Sequence, residues 1–539
     1  MKNRLSWLML GFALTALLGY WLAGTARSIK PQRERTSSVT TPAVAKAPPD
    51  DPMPKFRRGE RSTQASDDEA LAAGALEGQR VIVFNDRAAL ERFLARMGDG
   101  LRLLGRLDAL NALRIGFSDY DDLASLLDGE ELLSMIFPVV TPPLPDGSVQ
   151  PGATPLGAGL LDWLGITGDN SSWGRGVKIA ILDTGIASHQ AFQSLIRSIN
   201  LVGMPANASD LNGHGTAVAS LIIGNGNLTP GVAPGAEIIS VRVANDLGRS
   251  DSFLLAQGII AAVDAGARLI NISMGSLGQS ALLDNAITYA RERGAMIFAA
   301  AGNNGIDQVY YPAASDGVIA VGAVDARGNH LDFSNTGSQL AVSAPGYGVN
   351  AAWPGDEAAM VTGTSFSTPI VVGVVAAAMT QAGSGNLTPW QAWQLVSSNL
   401  NDAGAAGQDP QYGAGMPDLG RVFQAGTPGI HDAALASQRI LPPDSGNPYG
   451  RVEVLIQNRG TETLVNTSVQ VNAGGVASTH NITTLPANAV TTISVPITRP
   501  PGSGNSSLDI NSRVSLTGGI VDAMPSNDLR IESYAPAAP

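Results

Sequence analysis

The sequence predicts an α/β domain with a mostly parallel central sheet, preceded by a small α+β domain and followed by an all-β sandwich. Three observations predict it. The runs VKIAIL (177–182), EIISVRV (237–243), ARLINISM (267–274), AMIFAAA (295–301) and VIAVGAV (318–324) are apolar without polar alternation, and helical patterns at 253–264 and 282–293 separate several of them. Strands of that kind are buried on both faces, as in a parallel sheet covered by helices. Ahead of them, residues 79–140 read as β-α-β-β-α-β. After Gly426 the chain has no Lys or Trp, and segments rich in Val, Thr, Asn and Ser alternate at the spacing of a sandwich.

At 539 residues the chain exceeds what one core organises, so several units are expected. Residues 5–24 carry no charge and follow Lys2 and Arg4. Twenty such residues span about one bilayer as a helix, so residues 1–27 are expected to be a signal peptide or membrane anchor. Gly24 and Ala26 would suit a cut after Ala26. The run exceeds the roughly 7–15 residues of a signal-peptide core, which favours an uncleaved anchor. Arg27, Lys30, Arg33 and Arg35 follow it, against the usual charge bias. The expected location is outside the cytoplasm: anchored facing outward, or periplasmic or secreted after cleavage. Residues 28–75 are Pro-, Ser-, Thr- and charge-rich and read as a disordered linker.

In the next unit, 76–145, RVIVF (80–84) is a strand, 87–97 a helix, 101–107 and 109–117 paired strands, 120–127 a helix and LLSMIFPVV (132–140) a closing strand. The α/β domain is placed at 155–426 and the sandwich at 430–539. Its strands are RVEVLIQN (451–458), SVQVNA (468–473), VTTISVPI (490–497) and SRVSLT (512–517).

Acidic residues outnumber basic ones 46 to 34, for a formal charge of −12, and no basic stripe lies outside the N-terminal tail. That argues against nucleic acid as a partner. The absence of cysteine excludes disulfides, thiolate metal sites and a cysteine nucleophile.

Four motifs carry chemistry: VKIAILDTG (177–185), NGHGTAVAS (212–220), AAAGNNG (299–305) and GTSFSTP (363–369). A neutral serine hydroxyl needs a base within hydrogen-bond reach, so Ser365 pairs with His214 as nucleophile and base. Asp183, at a strand tip, would orient His214 and stabilise the imidazolium. Asn303 would donate to a developing oxyanion beside the Ser365 backbone N–H. Pro369 is expected in the first turn of a long apolar helix that Ser365 opens. Singly, each residue has an ordinary role as cap or turn former; together, in the order Asp, His, Ser, they point to acyl transfer. With an unperturbed histidine titrating near ~6.5, activity is expected to rise through that region.

The four motifs resemble those of the subtilases, the subtilisin-like serine proteases. The resemblance implies a subtilisin-like sandwich fold and a serine endopeptidase acting through an acyl-enzyme on peptide or protein substrates, without cofactor. It also implies that the preceding unit is a pro-domain, a folding chaperone and inhibitor, with processing in the segment 142–155. By the same resemblance, substrate backbone would pair with Ser273, Met274 and Gly275 and with the loop 247–250 around Gly248. The specificity pocket would be walled by Ser273, Met274 and Gly275 and by Ala300, Ala301 and Gly302. Where subtilisins commonly have glycine before Tyr311-Pro312, this chain has Tyr310, which either shortens the pocket and favours small or medium residues or swings out and leaves it deep. Ala217 replaces a histidine common in the family. The segment ASHQAF (187–192) and the short loop 224–229 offer too few ligands for calcium, so no metal is assigned. The C-terminal unit, with VEVLIQNRGTETLVNTSVQV, resembles CARDB-like domains. An inactive scaffold with an adhesive role, or a peptide-bond transferase using the same groups, remains open from sequence.

Overall fold

The computed structural model describes residues 75–128, 132–136, 140–141, 150–203, 210–382, 386–497 and 508–534. The expected anchor, the linker up to residue 74 and residues 142–149 of the expected processing segment lie outside these.

The first unit contains β1 (Gln79–Phe84), α1 (Arg87–Arg96), β2 (Leu101–Leu107), β3 (Ala112–Phe117), α2 (Tyr120–Leu127) and β4 (Leu132–Ile136). Its antiparallel sheet has the order β2-β3-β1-β4. Asp86 and Asp119 cap the two helices through their side chains. Alternate residues of β1 serve two cores: Ile82 and Phe84 pack with Leu90, Phe93 and Leu123, while Val81 and Val83 join the apolar cluster of the next unit. The strand expected at 109–117 begins later, because a 3-10 turn over Asp108–Leu110 ends at Asn111 in the left-handed region (φ 48°). The expected closing strand is also two pieces. β4 stops at Ile136, and β5 (Val140–Thr141) pairs in a different sheet. Pro138 lies between them in sequence and has no N–H to give a ladder.

After the short helix α3 (Leu160–Trp163) the second unit runs through β6 (Lys178–Asp183), β7 (Ile196–Asn200), α4 (His214–Ile223), the hairpin β8 (Asn225–Gly226) and β9 (Thr229–Pro230), β10 (Glu237–Arg242), β11 (Ser250–Asp251) and α5 (Ser252–Asp264). It continues with β12 (Leu269–Ile272), α6 (Ala281–Glu292), β13 (Met296–Ala300), β14 (Val318–Val324) and β15 (Leu340–Pro345). The hairpin β16 (Val349–Trp353) and β17 (Glu357–Val361), then α7 (Thr364–Gln381), α8 (Pro389–Ser397) and α9 (Leu419–Gln424), complete it. Seven strands form one sheet in the order β15-β14-β13-β12-β6-β10-β7, parallel at every pairing. Ile179 and Ile181 of β6 face the cluster of α4 and α7; Ala180 and Leu182 face that of α5 and α6. This two-sided burial is why the strands lack polar alternation. Helix α7 is apolar and long enough to cross a membrane by length and composition, but it is 89% buried and serves as a core helix.

From β6 the chain leaves toward β7 and β10; from its neighbour β12 it leaves toward β13. Open α/β sheets bind ligands beyond the carboxyl ends of strands at such a reversal.

The last unit comprises β18 (Ala433–Leu441), β19 (Arg451–Asn458), β20 (Leu464–Ala473), β21 (Val476–Leu485), β22 (Val490–Pro496), β23 (Leu508–Ser515) and β24 (Leu529–Tyr534). The sheets β18-β19-β22 and β21-β20-β23-β24 enclose Val452, Val454, Ile456, Val469, Val471, Ile510 and Val514. β18, β21 and β24 were not expected from sequence. On the outer face of the three-stranded sheet, Leu455, Ala436 and Val490 pack with Ala406 of the α/β unit. Polar contacts reinforce this joint: Gln457 donates to the Leu400 carbonyl (2.9 Å) and accepts from Asp402 N (3.0 Å), and Ser437 donates to the Gly404 carbonyl (2.7 Å).

Asp402 is 3% exposed, with Oδ2 accepting from Gly407 N (2.8 Å) and Oδ1 without a partner among the described residues. Burial pushes its carboxyl up to about 7. Between about pH 4 and 7 the unfolded chain therefore ionises here while the folded chain does not, so stability falls as pH rises through that window. Asp402→Asn does not titrate. The stability of the Asn variant relative to Asp402 is expected to grow across this window, by on the order of 4 kcal/mol. Thermal melts at several pH values check this, and a pH-independent difference would contradict it.

Candidate active site

Asp183 ends β6 and is 1% exposed. Its Oδ1 accepts from Thr184 N and from His214 Nδ1, both at 2.8 Å. Because a carboxylate only accepts, this bond places the ring proton on Nδ1 and leaves Nε2 as the basic nitrogen of the neutral imidazole. Asp183 Oδ2 is buried without a partner among the described residues.

His214 opens α4. Helix and strand end meet closely: a Cβ on Gly215 would lie 2.0 Å from the Gly185 carbonyl oxygen and 3.2 Å from the Asp183 side chain. Only glycine permits that approach. The joint is fastened by Asp210, a 1% exposed carboxylate that the sequence reading passed over. Oδ1 accepts from Thr184 Oγ1 and Gly213 N, both at 3.0 Å; Oδ2 accepts from Thr216 N (3.1 Å) and Thr216 Oγ1 (2.8 Å). Thr216 Oγ1 accepts in turn from Ala187 N (2.9 Å), and Thr184 Oγ1 from Gly215 N (3.1 Å). The only sequence signal for Asp210 is its position four residues before His214.

Ser365 is the second residue of α7, and its hydroxyl donates to the Ser273 carbonyl at 3.2 Å. Phe366 packs its ring at a tilt against His214 with centroids 5.2 Å apart, which brings the heads of α4 and α7 together. Pro369 is not in the first turn, as expected, but is the sixth residue of the helix. Lacking an N–H, it leaves the Ser365 carbonyl without its helical donor. The Ser273 hydroxyl fills that place at 2.7 Å and itself accepts from Asn271 Nδ2 at 2.9 Å. The expectation of an innocuous proline thus becomes a mechanism for tying Ser365 to the end of β12.

Asn303, three residues beyond β13, is 7% exposed. Its Oδ1 accepts from Thr364 N (2.9 Å) and Thr364 Oγ1 (2.7 Å). With the carbonyl end anchored, the amide nitrogen faces Gly363, where a Cβ would come within 2.8 Å of it. Thr364, fully buried in the middle of Gly-Thr-Ser, was also missed as a positioning group.

The other expected residues border the same end of the sheet. Ser273 and Met274, just past β12, are buried, as are Ala300, Ala301 and Gly302 at the end of β13. Gly248 lies buried in the turn before β11, with φ 73° and its N–H donated to the Asn245 carbonyl. Tyr310 spans the two walls. Its N–H donates to the Ala301 carbonyl (3.0 Å), and the next residue exchanges backbone bonds with Ser276. The ring is 9% exposed; its Cδ2 is 3.2 Å from a Cβ built on Gly302, its Cβ is 3.1 Å from one built on Gly275, and Oη donates to Asn304 Oδ1 at 2.6 Å. Burial raises the phenol pKa, so the donor stays protonated.

β5 pairs antiparallel with β11, Thr141 opposite Ser250 and Val140 opposite Asp251. Arg114 of β3 forms a 2.9 Å ion pair with Asp251, whose other oxygen caps α5.

Over one end of the parallel sheet the structure thus sets a strand-end carboxylate bonded to an imidazole at one helix head and a serine hydroxyl at the head of the next, and comparison with known proteins gives the class: a subtilisin-like serine protease. The description of the Subtilase family matches residues 174–415, which contain Asp183, His214, Asn303 and Ser365. Subtilisin BL of Lederbergia lenta is 37% identical over 245 residues, 45% of this chain and 89% of that protein. A thermostable alkaline protease of Halalkalibacterium halodurans is 36% identical over 254 residues, 47% of this chain and 69% of that one. In fold alone, the epidermin leader peptide processing serine protease of Staphylococcus aureus is similar, with a TM-score of 0.55 at 20% identity over 65% of this chain and 99% of that one. The chain belongs to the Subtilase family and is a serine endopeptidase.

Asp210→Ala would strip four hydrogen bonds from the Asp183–His214 joint. Each unpaired buried donor costs about 1–3 kcal/mol. The expected result is a lower melting temperature and a kcat reduced at least tenfold with KM little changed, measured on a small peptide substrate. Wild-type kcat in a folded Asp210→Ala protein would refute the positioning role.

Proposed function

We propose that this chain is an exported endopeptidase made as a self-processing zymogen, with Asp183, His214 and Ser365 as its triad and Asn303 as oxyanion donor. The observation that carries the triad is the 2.8 Å bond from His214 Nδ1 to buried Asp183, with Ser365 at the head of the adjacent helix. In this reading His214 Nε2 takes the Ser365 proton as Oγ attacks the substrate carbonyl. Asn303 Nδ2 and the Ser365 N–H, one of the N-terminal helix donors without an intrahelical acceptor, stabilise the oxyanion. The imidazolium then protonates the leaving amine, and water, deprotonated by the same nitrogen, releases the acyl group.

The unit over 76–145 is proposed as the inhibitor. Support comes from β5, which adds itself to β11 beside the loop 247–250 where substrate backbone is expected to pair. The Arg114–Asp251 ion pair and the Val81 and Val83 face hold the unit against α5. Processing within 142–155 would release it. Residues 430–539 are proposed as a CARDB-like domain, and export is attributed to residues 5–24 by their composition. Loss of the N-terminal segment would yield a soluble secreted or periplasmic form; retention would leave the enzyme anchored. The buried Tyr310 ring supports the shorter pocket and a preference for small or medium residues before the scissile bond.

Two experiments test these roles. A fluorophosphonate probe is expected to label wild type and not Ser365→Ala, and only wild type should shorten by a cut within 142–155. Labelling that persists in the variant would remove Ser365 from its role, and equal chain lengths would remove self-processing. Tyr310→Gly is expected to raise kcat/KM for a Phe substrate relative to an Ala substrate by roughly 10- to 100-fold; an unchanged ratio in a comparison of peptide esters would place the phenol outside the pocket.

A further inference from the structure

Polar groups that the active site does not use gather where the α/β unit meets the sandwich. Arg421 of α9 is 8% exposed and donates only to neutral acceptors. Nη1 reaches the carbonyls of Asn399 (3.0 Å) and Leu400 (2.7 Å) and Asn401 Oδ1 (3.0 Å), Nε the Arg459 carbonyl (3.2 Å), and Nη2 Asn488 Oδ1 (2.7 Å). Arg459, from the sandwich, donates through Nε to Gln457 Oε1 at 3.0 Å. Its two terminal amino groups have no protein partner among the described residues, and neither guanidinium forms an ion pair among them.

A cavity of about 70 Å³ lies here, lined by Arg421, Arg459, Gly460, Thr461, Asn488 and Gln424 among others. Arg421 occupies Asn488 Oδ1, so the amide nitrogen of Asn488, also without a protein partner among the described residues, is a further donor at the cavity. The charges of Asp432, Asp418 and Asp402 act on Arg459, yet none of these carboxylates hydrogen-bonds to it among the described residues. Asp418 Oδ1 caps α9 at Arg421 N (3.0 Å) and Oδ2 accepts from Asn401 Nδ2 (3.1 Å), while Asp432 Oδ1 accepts from Asn527 Nδ2 (3.0 Å). Burial lowers the Arg421 pKa to about 10, with the Arg459 charge adding to the shift. Both groups remain cationic at neutral pH, and both residues border this one small space. A water occupies about 30 Å³ of liquid volume, so the space exceeds what one water fills and admits a small polyatomic group.

We propose that this cavity binds a small oxyanion, a carboxylate or a phosphate- or sulfate-type group, held by Arg459 and Asn488, and that the bound anion fastens the sandwich to the α/β unit. A guanidinium presents paired donors to either shape of oxyanion, and charge-assisted bonds of this kind exceed neutral ones in strength. The anion bridges units because Arg459 and Asn488 belong to the sandwich, while Arg421 of the α/β unit lines the same cavity and offers its charge and the second hydrogen of Nη2.

The full chain carrying Ser365→Ala is titrated with sodium sulfate, phosphate or acetate at constant ionic strength, with binding followed by calorimetry and thermal melting. At least one of these anions is expected to bind saturably and raise the melting temperature; the one that saturates first identifies the preferred shape. Arg459→Gln is expected to weaken that binding at least tenfold. Asn488→Asp removes the amide donor and places a carboxylate at the cavity, in a left-handed conformation (φ 62°) that aspartate tolerates. It too should weaken binding at least tenfold while keeping the fold, so the test survives if the arginine variant does not fold. Absence of saturable binding in the parent chain would overturn the proposal. So would a non-saturating rise of equal size in parent and variants, which is the signature of salt exclusion, or undiminished affinity in folded Asn488→Asp.

Discussion

A carboxylate taken out of water calls for donors, and at this site Asp210 meets that requirement on both oxygens while Asp183 meets it on one. Asp183 and Asp210 are each 1% exposed. Asp210 has four donors, drawn from the loop after β6 and from the first turn of α4, so satisfying one buried charge fixes the strand end against the helix head. Asp183 and His214 occupy those two elements. The joint that Asp210 fastens thus holds in place the two elements whose side chains make the 2.8 Å bond. Preorganisation of the proposed triad comes from the charge beneath it as much as from its members.

The serine side is organised by an analogous deficit. Pro369 removes a helical hydrogen bond, and the orphaned Ser365 carbonyl is met by Ser273, which Asn271 orients from within the sheet. Thr364, beside it, holds the Asn303 carbonyl end and thereby decides which end of that amide faces Gly363. Both halves thus rely on a backbone or carboxylate group that would otherwise be unsatisfied. Because such groups are costly to leave unpaired, the geometry resists drift more than packing alone would allow.

What was legible in sequence follows from the range of the forces involved. VKIAIL and VIAVGAV read as strands because two-sided burial writes itself into every consecutive residue, and Asp, His and Ser stood out because flanking glycines accompany their close approaches. Asp210 did not stand out, since an aspartate before Leu-Asn-Gly looks like any turn former, and its four partners lie in segments brought together only by folding. The strand assigned to 109–117 was read through a turn because Asn111 accepts a left-handed conformation that its neighbours' hydrophobicity conceals. β21 escaped because this exposed edge strand carries few large apolar residues on either face. The joint between units was invisible for a further reason: Gln457 and Arg421 are ordinary polar letters until each finds the other unit's carbonyls.

That joint alters how the C-terminal unit is to be understood. A passive spacer would present a solvated outer sheet face, with polar residues alternating along its strands. β19 instead buries Leu455 against Ala436, Val490 and Ala406, which accounts for the unbroken apolar stretch VLI in the middle of RVEVLIQN. The sandwich also completes the hydrogen bonding of Leu400 and Asp402, in the loop that follows α8, and that helix packs beside α7 through Trp393 and its neighbours. Removing the sandwich would expose these backbone groups and the Arg421 guanidinium at once. The α/β unit has therefore accommodated its own polar atoms to a permanent neighbour, and the same reasoning that makes a buried carboxylate organise the Asp183–His214 joint makes the buried Arg421 guanidinium organise the far end of the protein.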